Sequence, residues 1–309
     1  MKTVVTGGAG FIGSNIVDAL VTRGDEIVVV DDLSSGYAAN LAPYGGVELV
    51  EGSILDAELL EKAIDGAEVV FHHAASVGNK RSIDDPRSDA AINVLGTINV
   101  LEACRHTGTR KLVYASSAGI FGELKQLPID ESHQLEPDSP YGASKLAAEK
   151  ECLAYAKLYD LEAVALRYFN VYGPNQRFDA YGNVIPIFVF QMLRGEGITI
   201  FGDGDQTRDF INVRDVVQAN LKAADSRGVS GAFNLGSATR VSINDLVNDL
   251  ASRVGGEPVV RHGPPRPGDV RDSLADISAA RAALGFAPSV SLSEGLGEYV
   301  EWARTETAA

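Results

Sequence analysis

The first 170 residues alternate between short runs of aliphatic, often β-branched residues and longer segments with apolar residues at helical spacing. The short runs are KTVVT, EIVVVDD, VELVEG, EVVFHH, RKLVYASS and LEAVALRYF. Segments such as IGSNIVDALVTRG and LGTINVLEACRHTG lie between them, each ending in glycine. Runs nearly continuous in Val, Ile and Leu are typical of parallel strands buried on both faces. The pattern therefore predicts an α/β fold with a doubly wound parallel sheet.

The pattern changes after Asn170. The segment GPNQRFDAYGNVIP is rich in Gly, Asn and Pro, and it predicts a long functional loop rather than a crossover helix. Beyond it, the strand-like ITIF and AFNLG and amphipathic stretches at 242–254 and 277–285 form a mixed, less regular region. We therefore expect a first domain at 1–170, to which 208–223 returns, and a smaller mixed lobe at 171–309 over the carboxyl ends of the strands.

Composition narrows the classes of partner. The 309 residues carry a net charge of −15 and no basic block, which argues against nucleic acid and anionic membranes as partners. No apolar run approaches the roughly 20 residues of a membrane span. The first strand pattern starts at Lys2, which predicts a cytoplasmic protein. Cys104 and Cys152 fit buried thiols, and His72–His73 has no second cluster at ligand spacing, so no metal is expected.

A glycine-rich segment, VVTGGAGFIGSN, follows the first strand and opens the first helix. It contains G-x-G-x-x-G at Gly8, Gly10 and Gly13, and a wider G-x-x-G-x-x-G that starts at Gly7. Glycine lets the backbone turn tightly and approach a pyrophosphate at the helix N-terminus. Asp31 ends the second strand 18 residues after Gly13. A carboxylate there binds ribose hydroxyls and repels a 2′-phosphate, so a Rossmann-type domain that binds NAD is predicted.

A tyrosine and a lysine four residues apart begin a later helix pattern, SPYGASKLAAEK, so Tyr141 and Lys145 project from one face. A phenol with a pKa of about 10 is a poor base at neutral pH, but a neighbouring ammonium and a positively charged nicotinamide lower that pKa. Most such pairs on helix surfaces have no chemical role. Beside the glycine motif and the strand ending YASSAGIFG, a catalytic interpretation is favoured.

The motifs TGGAGFIG, SSAGIFG, YGASK, RYFNVYGP and GDGDQTRDFINVRD together resemble those of extended short-chain dehydrogenases/reductases, over nearly the full chain. Within that superfamily the sequence is most similar to NAD-dependent 4-epimerases of UDP-hexoses. The resemblance implies that Tyr141 is the base and that Lys145 supports it and holds the nicotinamide ribose. It also implies that Ser117 hydrogen-bonds the reacting oxygen and that tightly bound NAD is the cofactor.

The same resemblance implies the remaining cofactor contacts. Besides Tyr141 and Lys145, they are Gly7, Gly10, Phe11, Ile12, Gly13, Asp31, Asp32, Leu33, Ser35, Gly36, Ser53, Ile54, His73, Ala74, Ala75, Ser76, Asn93 and Phe169. Two positions depart from the usual family pattern. Ser53 stands where Asp is usual against the adenine, which weakens that contact, and Phe121 replaces a tyrosine with an expected mild effect.

Substrate contacts are also implied by the resemblance. They are Ser117 at the reacting oxygen, Arg208 and Arg266 at the UDP diphosphate, Asp269 at the ribose, Asn170 at the diphosphate or sugar, and Asn183, Val184 and Phe201 at the uridine. Guanidinium forks suit phosphate oxygens. From the residues alone, a surface ion pair within RPGDVRDSLAD is the better interpretation of Arg266, and the resemblance favours the ligand instead.

Residues after Ser117 bear on the reaction. Similar nucleotide-sugar dehydratases carry an Asp–Glu pair there, and decarboxylases usually carry a Glu, whereas this chain has Ala118 and Gly119. The resemblance thus favours C4 epimerisation, and Ser273, where enzymes restricted to plain hexoses carry Tyr, predicts that N-acetylated UDP-sugars are accepted. A UDP-hexuronate epimerase, a nucleotide-sugar reductase and a non-enzymatic NAD-sensing module stay open. A homodimer through sheet-flanking helices is also expected.

Overall fold

The computed structural model describes residues 1–179, 182–265 and 270–308, and a seven-stranded parallel sheet lies at its centre. The strands of the chain are β1 Lys2–Thr6, β2 Glu26–Asp31, β3 Val47–Glu51, β4 Val69–His72, β5 Lys111–Ser117, β6 Glu162–Tyr168, β7 Asn170–Tyr172, β8 Ile198–Phe201, β9 Thr207–Arg208, β10 Phe210–Asn212, β11 Gly231–Leu235, β12 Val241–Ser242 and β13 Val260–Gly263. The central sheet has the order β11-β6-β5-β4-β1-β2-β3. The predicted doubly wound fold is confirmed, and the six sequence runs are its first six strands.

Helices cover both faces of the sheet. They are α1 Phe11–Arg23, α2 Ala57–Ile64, α3 Asn79–Asp84, α4 Pro86–Ala90, α5 Thr97–Thr107, α6 Pro140–Leu158, α7 Val184–Leu193, α8 Val213–Asp225, α9 Ile243–Val254, α10 Ser278–Leu284 and α11 Leu292–Ala308. A π-helical segment, Ala91–Gly96, joins α4 to α5, and 3₁₀ turns lie at Ala38–Asn40 and Ala118–Ile120. Within the described chain, none of these helices combines the length and the apolar character that a membrane crossing requires.

Adjacent strand residues feed two separate cores, because side chains alternate between the faces of a sheet. Val5 packs in the core beneath α1 and α8, together with Ile16 and Val216. Its neighbour Val4 packs on the opposite face, in the core shared with α2, α5 and α6. Burial on both faces explains why the strand runs are aliphatic throughout rather than alternating.

The smaller lobe has a third core, built from α7, α9, α11 and β8. The chain leaves it twice to rejoin the sheet layer: α8 lies beside α1, and β11 pairs in parallel with β6. From the sequence we expect only 208–223 to return to the first domain. The sequence does not place β11 in the sheet. Five residues, GAFNL, give no periodic signal of their own, and their partner strand lies far away in the chain.

A buried ion pair joins α6 to β6. The guanidinium of Arg167 donates to both carboxylate oxygens of Glu149, at 3.0 and 2.7 Å, and the Ser116 hydroxyl donates to Glu149 Oε2 at 2.7 Å. Glu149 is fully buried and Arg167 nearly so. A paired guanidinium and carboxylate satisfy each other, whereas removing one partner leaves an uncompensated buried charge.

We therefore expect Glu149→Gln to lower the free energy of unfolding by about 3 kcal/mol, because Arg167 loses its counter-ion. Urea unfolding followed by circular dichroism measures the change. Glu301→Gln removes a largely exposed partner of Arg304 and serves as the control, with an expected change below about 1 kcal/mol. Equal, small effects of both variants would contradict this account of the buried pair.

Candidate active site

The loop between β1 and α1 is shaped by glycines that approach other backbone closely. Gly7 has a φ of +70°, and a Cβ there would lie 2.6 Å from the Ala74 nitrogen. A Cβ on Gly13 would lie 2.1 Å from the Gly7 carbonyl oxygen. The residue before α1, Gly10, provides no side-chain cap, so the first amides of the helix are not covered by a side chain. This backbone cradle fits the pyrophosphate of a dinucleotide.

Asp31 lies beside this loop, at the end of β2. Its carboxylate accepts hydrogen bonds from the backbone N–H groups of Ala9 and Leu33, both at 2.9 Å. Burial raises the pKa of Asp31 above its usual value, while the two N–H donors act in the opposite direction. A Cβ on Gly36 would lie 2.8 Å from Asp31 Oδ1, so a side chain at this position would require the carboxylate to move.

The other predicted cofactor residues follow the carboxyl ends of successive strands, so they lie along one edge of the sheet. Phe11 and Ile12 open α1, and Asp32, Leu33 and Ser35 follow β2. Ser53 and the buried Ile54 follow β3. His73, Ala74, Ala75 and Ser76 follow β4, while Asn93 lies in the π-helical segment. Phe169 follows β6.

Two side chains hold residues 73–76 in place, the segment after β4 that we call the cofactor wall. The Asn93 Oδ1 accepts from the Ser76 N–H at 2.8 Å, and its Nδ2 donates to the Ser76 carbonyl at 3.0 Å. His73 Nε2 is 3.0 Å from the hydroxyl of Tyr168. Burial lowers the pKa of His73 to about 3, so its ring is neutral. The wall is therefore held by internal bonds and carries no positive charge at its histidine.

Ser117 and Tyr141 face each other across the end of β5. Ser117 is the last residue of β5, and Tyr141 lies in the first turn of α6, which is capped by the hydroxyl of Ser139. Burial raises the pKa of Tyr141 above its usual value, and the nearby Ser117 side chain acts in the opposite direction with a smaller effect. The expected lowering of the Tyr141 pKa is therefore not a property of this chain without its ligands.

Lys145 lies one turn further along α6, with only 3 % of its surface exposed. Burial lowers its pKa to about 8, although nearby acidic groups oppose the change. Its Nζ lies 4.4 Å from the centre of the Tyr114 ring, a cation–π distance. The structure thus places the half-buried Ser117 and Tyr141 and the buried Lys145 at neighbouring positions, at the end of β5 and the start of α6.

Gly142 lets α6 approach the loop after β5, and Gly119 lies in that loop. A Cβ on Gly142 would lie 2.4 Å from the carbonyl oxygen of Gly119. A Cβ on Gly119 would lie 3.4 Å from Ser117 Oγ and 3.8 Å from the ring of Tyr141. Position 119 therefore faces the Ser117–Tyr141 pair directly, and in this chain it carries no side chain.

The predicted substrate residues of the described chain other than Ser117 belong to β7, β8, β9, the start of α7 and the segment around Ser273. Arg208, in β9, donates to the carbonyls of Thr207 at 2.8 Å and Arg271 at 3.4 Å. Asn170 donates its side chain to the Asp209 carbonyl at 3.0 Å. Asn183 precedes α7, Val184 is its first residue, and Phe201 ends β8. Arg266 and Asp269 lie outside the described residues.

Ser273 is buried and is held in place by its neighbours in sequence. Thr207 N–H donates to the Arg271 carbonyl at 3.0 Å, which ties this segment to β9. Ile129 N–H donates to the Leu274 carbonyl at 2.8 Å, which ties it to the loop after β5. The backbone on both sides of Ser273 is therefore anchored, one side to the strand of Arg208 and the other to the loop that follows Ser117.

Sequence reasoning missed Asp209, the residue after Arg208. Its buried carboxylate accepts from the N–H and hydroxyl of Ser237, both at 2.7 Å, and from the N–H of Ala275 at 3.1 Å. It thereby joins β9, the end of β11 and the Ser273 segment. The motif QTRDF contains the residue, but nothing in the motif indicates that its partners lie in two later segments.

Comparison with known proteins agrees with this geometry. The NAD dependent epimerase/dehydratase family matches residues 3–236. The chain belongs to this family. It is 41 % identical to a UDP-glucose 4-epimerase of Mycolicibacterium smegmatis, over 99 % of this chain and 100 % of the relative. The resemblance stated from the motifs is thus confirmed, and NAD is the family's cofactor.

Two solved structures are close to this family member. A UDP-glucose 4-epimerase of Thermotoga maritima with UDP-glucose superposes with a TM-score of 0.94 at 41 % identity, covering 99 % of this chain and 100 % of that one. A UDP-N-acetylglucosamine 4-epimerase of Methanobrevibacter ruminantium, in complex with UDP-N-acetylmuramic acid, gives 0.95 at 36 % identity, covering 99 % and 98 %.

The glycine cradle generates a prediction about NAD. Gly13→Ala should weaken NAD binding by at least roughly a hundredfold, because the added methyl displaces the Gly7 carbonyl and with it the pyrophosphate cradle. Calorimetry after removal of bound nucleotide measures the affinity. Gly45→Ala adds the same methyl where no atom lies within 4 Å, and should bind NAD normally. Unchanged affinity in the Gly13 variant would refute the cradle.

Proposed function

We propose that this chain is an NAD-dependent 4-epimerase of UDP-hexoses that inverts C4 through a transient 4-keto sugar. The observation that carries the proposal is the Ser117–Tyr141 pair with a bare backbone at Gly119 facing it. Elimination of water or loss of carbon dioxide requires a further acid or base beside the sugar, and Ala118 and Gly119 supply none. Oxidation and reduction at C4 need only the groups already present.

The proposed roles follow from position. Ser117 holds the C4 oxygen, and Tyr141 accepts the proton of the C4 hydroxyl. The Lys145 ammonium favours the phenolate form of Tyr141. The chemistry that NAD supplies when bound is uptake and return of the C4 hydride. The keto sugar then rotates within the site so that the opposite face of C4 is presented, and Tyr141 returns the proton to the C4 oxygen.

Because the diphosphate stays bound, the keto sugar can rotate without leaving the site. We assign this role to Arg208 and Arg266, with Asp269 at the ribose, Asn170 near the diphosphate or sugar, and Asn183, Val184 and Phe201 around the uridine. Arg208 already directs its guanidinium toward the backbone of the Ser273 segment, so a diphosphate bound there lies beside the sugar pocket. The cofactor contacts are the residues along the carboxyl edge of the sheet.

The buried Ser273 supports acceptance of N-acetylated sugars as well as UDP-Glc and UDP-Gal, because a small side chain leaves room for an acetamido group. The similarity to both a UDP-glucose and a UDP-N-acetylglucosamine 4-epimerase is in line with this breadth. We further propose a cytoplasmic homodimer formed through sheet-flanking helices. Sedimentation of the purified protein at twice the monomer mass tests the dimer.

Incubation with UDP-Glc, UDP-GlcNAc and UDP-GlcA separately, with no added NAD, tests the reaction. Separation of the products should show the C4 epimer of the first two sugars. Absence of a 4-epimer from all three sugars would refute the epimerase. A 4-epimer from UDP-GlcA alone would identify a hexuronate epimerase, and net consumption of reduced cofactor would identify a reductase. No turnover with NAD retained would identify a non-enzymatic NAD-binding module.

Replacing the proposed base tests the roles. Tyr141→Phe should lower kcat at least about a hundredfold, because no other group accepts the C4 proton. Bound NAD and thermal stability should be close to those of the unmodified protein. Tyr159→Phe, at the end of the same helix and partly exposed, is the matched control and should keep full activity. Full activity of the Tyr141 variant would disprove the mechanism.

Pocket width is tested at Ser273. Ser273→Tyr should lower kcat/KM for UDP-GlcNAc at least about tenfold while leaving UDP-Glc within about threefold, since the ring occupies the acetamido space. Ser273→Ala should leave both substrates unaffected because it keeps the space open. Equal loss of both substrates in the tyrosine variant would contradict the proposed pocket.

A further inference from the structure

A buried carboxylate lies behind the Tyr141–Lys145 pair. Asp89, in α4, is 1 % exposed. Its Oδ2 accepts from the Ser144 hydroxyl at 2.5 Å, and its Oδ1 accepts from the Asn93 Nδ2 at 3.1 Å. Both of these donors are uncharged. A carboxylate held in a protein interior by neutral donors is costly, so a function for its charge is worth seeking.

The two partners of Asp89 lie on the two sides of the site. Ser144 stands between Tyr141 and Lys145 in α6, and its hydroxyl is also 3.0 Å from the Tyr141 carbonyl. Asn93 holds the wall after β4 through its two bonds to Ser76, and its Nδ2 is 2.9 Å from Ser144 Oγ. One carboxylate therefore links the first turn of α6 to the cofactor wall.

The acidic groups near Lys145 differ in whether their charge is already balanced. Glu149, one turn along α6, is held by both arms of Arg167. Cys152 is a thiol at neutral pH, because burial raises its pKa well above neutrality. Asp89 remains as the nearby anion whose bonded partners carry no charge.

The groups facing Lys145 from the sheet are neutral. His72 ends β4 and His73 follows it, and burial lowers the pKa of both below the ordinary value. Tyr114, from β5, offers its ring face, and burial raises the pKa of its hydroxyl. The Tyr141 phenol, on α6 itself, is also uncharged before reaction because burial raises its pKa. Asp89 is therefore the nearby charge in the described site that can hold Lys145 as an ammonium ion against burial.

We propose that Asp89 is a positioning residue for the Tyr141–Lys145 pair, fixing the first turn of α6 through Ser144 and keeping Lys145 protonated through its charge. The catalytic part of this inference rests on the proposed function, because it assumes that Tyr141 and Lys145 act on the substrate. The electrostatic part concerns the protein alone and can be measured without substrate.

The sign of the electrostatic effect is the same for both residues. A carboxylate stabilises the Lys145 ammonium and destabilises a Tyr141 phenolate, so it raises both pKa values. Removing the charge therefore lowers both. If activity needs the phenolate and the ammonium together, the acidic and basic limbs of the pH–rate profile both move to lower pH.

Asp89→Asn is the variant that removes the charge with least change in shape. The new amide can accept from Asn93 and donate to Ser144 Oγ, whose own proton then turns to the Tyr141 carbonyl 3.0 Å away. We expect both limbs of kcat/KM to move down by about one pH unit. In ¹³C-lysine-labelled protein, the NMR titration of Lys145, assigned with Lys145→Met, should show a pKa about one unit lower.

Two controls separate charge from structure. Ser144→Ala keeps the charge and should lower kcat several-fold without moving either limb. Asp84→Asn removes an exposed carboxylate at the end of α3 and should change neither property. Unmoved limbs and an unmoved Lys145 titration in the Asp89 variant would overturn the proposal, and so would an equal shift in Ser144→Ala.

The unmodified protein provides an independent measurement if the Asp89 variant does not fold. Its Lys145 should titrate at a pKa of about 8 or above, and a pKa below 7 would overturn the proposal, because the ammonium would not then be maintained. Failure of the proposed function is distinguishable from failure of the Asp89 proposal. Absence of epimerase activity leaves the Lys145 titrations of the unmodified and variant proteins unaffected.

Discussion

The buried ion pair of Glu149 and Arg167 is the interaction on which the geometry of the site depends. It fastens α6 to β6, and the Ser116 hydroxyl on the same carboxylate fastens α6 to β5. Ser116 precedes Ser117, and Glu149 lies one helical turn after Lys145. These bonds therefore fix Ser117 relative to Tyr141 and Lys145. They lie one helical turn away from the groups proposed to react. Such a pair contributes little net stability but fixes one arrangement.

Two glycines, Gly142 and Gly119, shape the site through the side chains that they lack. At Gly142 the backbone of α6 approaches the loop after β5 more closely than a residue with a Cβ allows, because that atom would lie 2.4 Å from the Gly119 carbonyl oxygen. The same glycine at 119 leaves the Ser117–Tyr141 pair without an additional acid or base. Close packing at position 142 and the absence of a further acid or base at position 119 are thus both due to glycine.

Hydrogen bonds and apolar packing both hold the smaller lobe to the sheet beside the site. Asp209 gathers Ser237 and Ala275, and Ile129 pairs with the segment around Leu274. Arg208 and Ser273 are thereby fixed near the loop that follows Ser117. Neither Arg208 nor Ser273, which lie in the region that we propose binds the substrate, belongs to the two cores of the sheet.

The sequence by itself determined the six leading strands, the glycine cradle with Asp31, and the spacing of Tyr141 and Lys145. These features depend on local periodicity and short spacings, which a single chain displays directly. Tertiary structure alone decided that β11 joins the sheet, that Asp89 and Asp209 join distant segments by hydrogen bonds, and that burial raises the pKa of Tyr141. All three features depend on contacts between distant segments and on the loss of water around the groups involved. No local sequence pattern encodes such contacts or such burial.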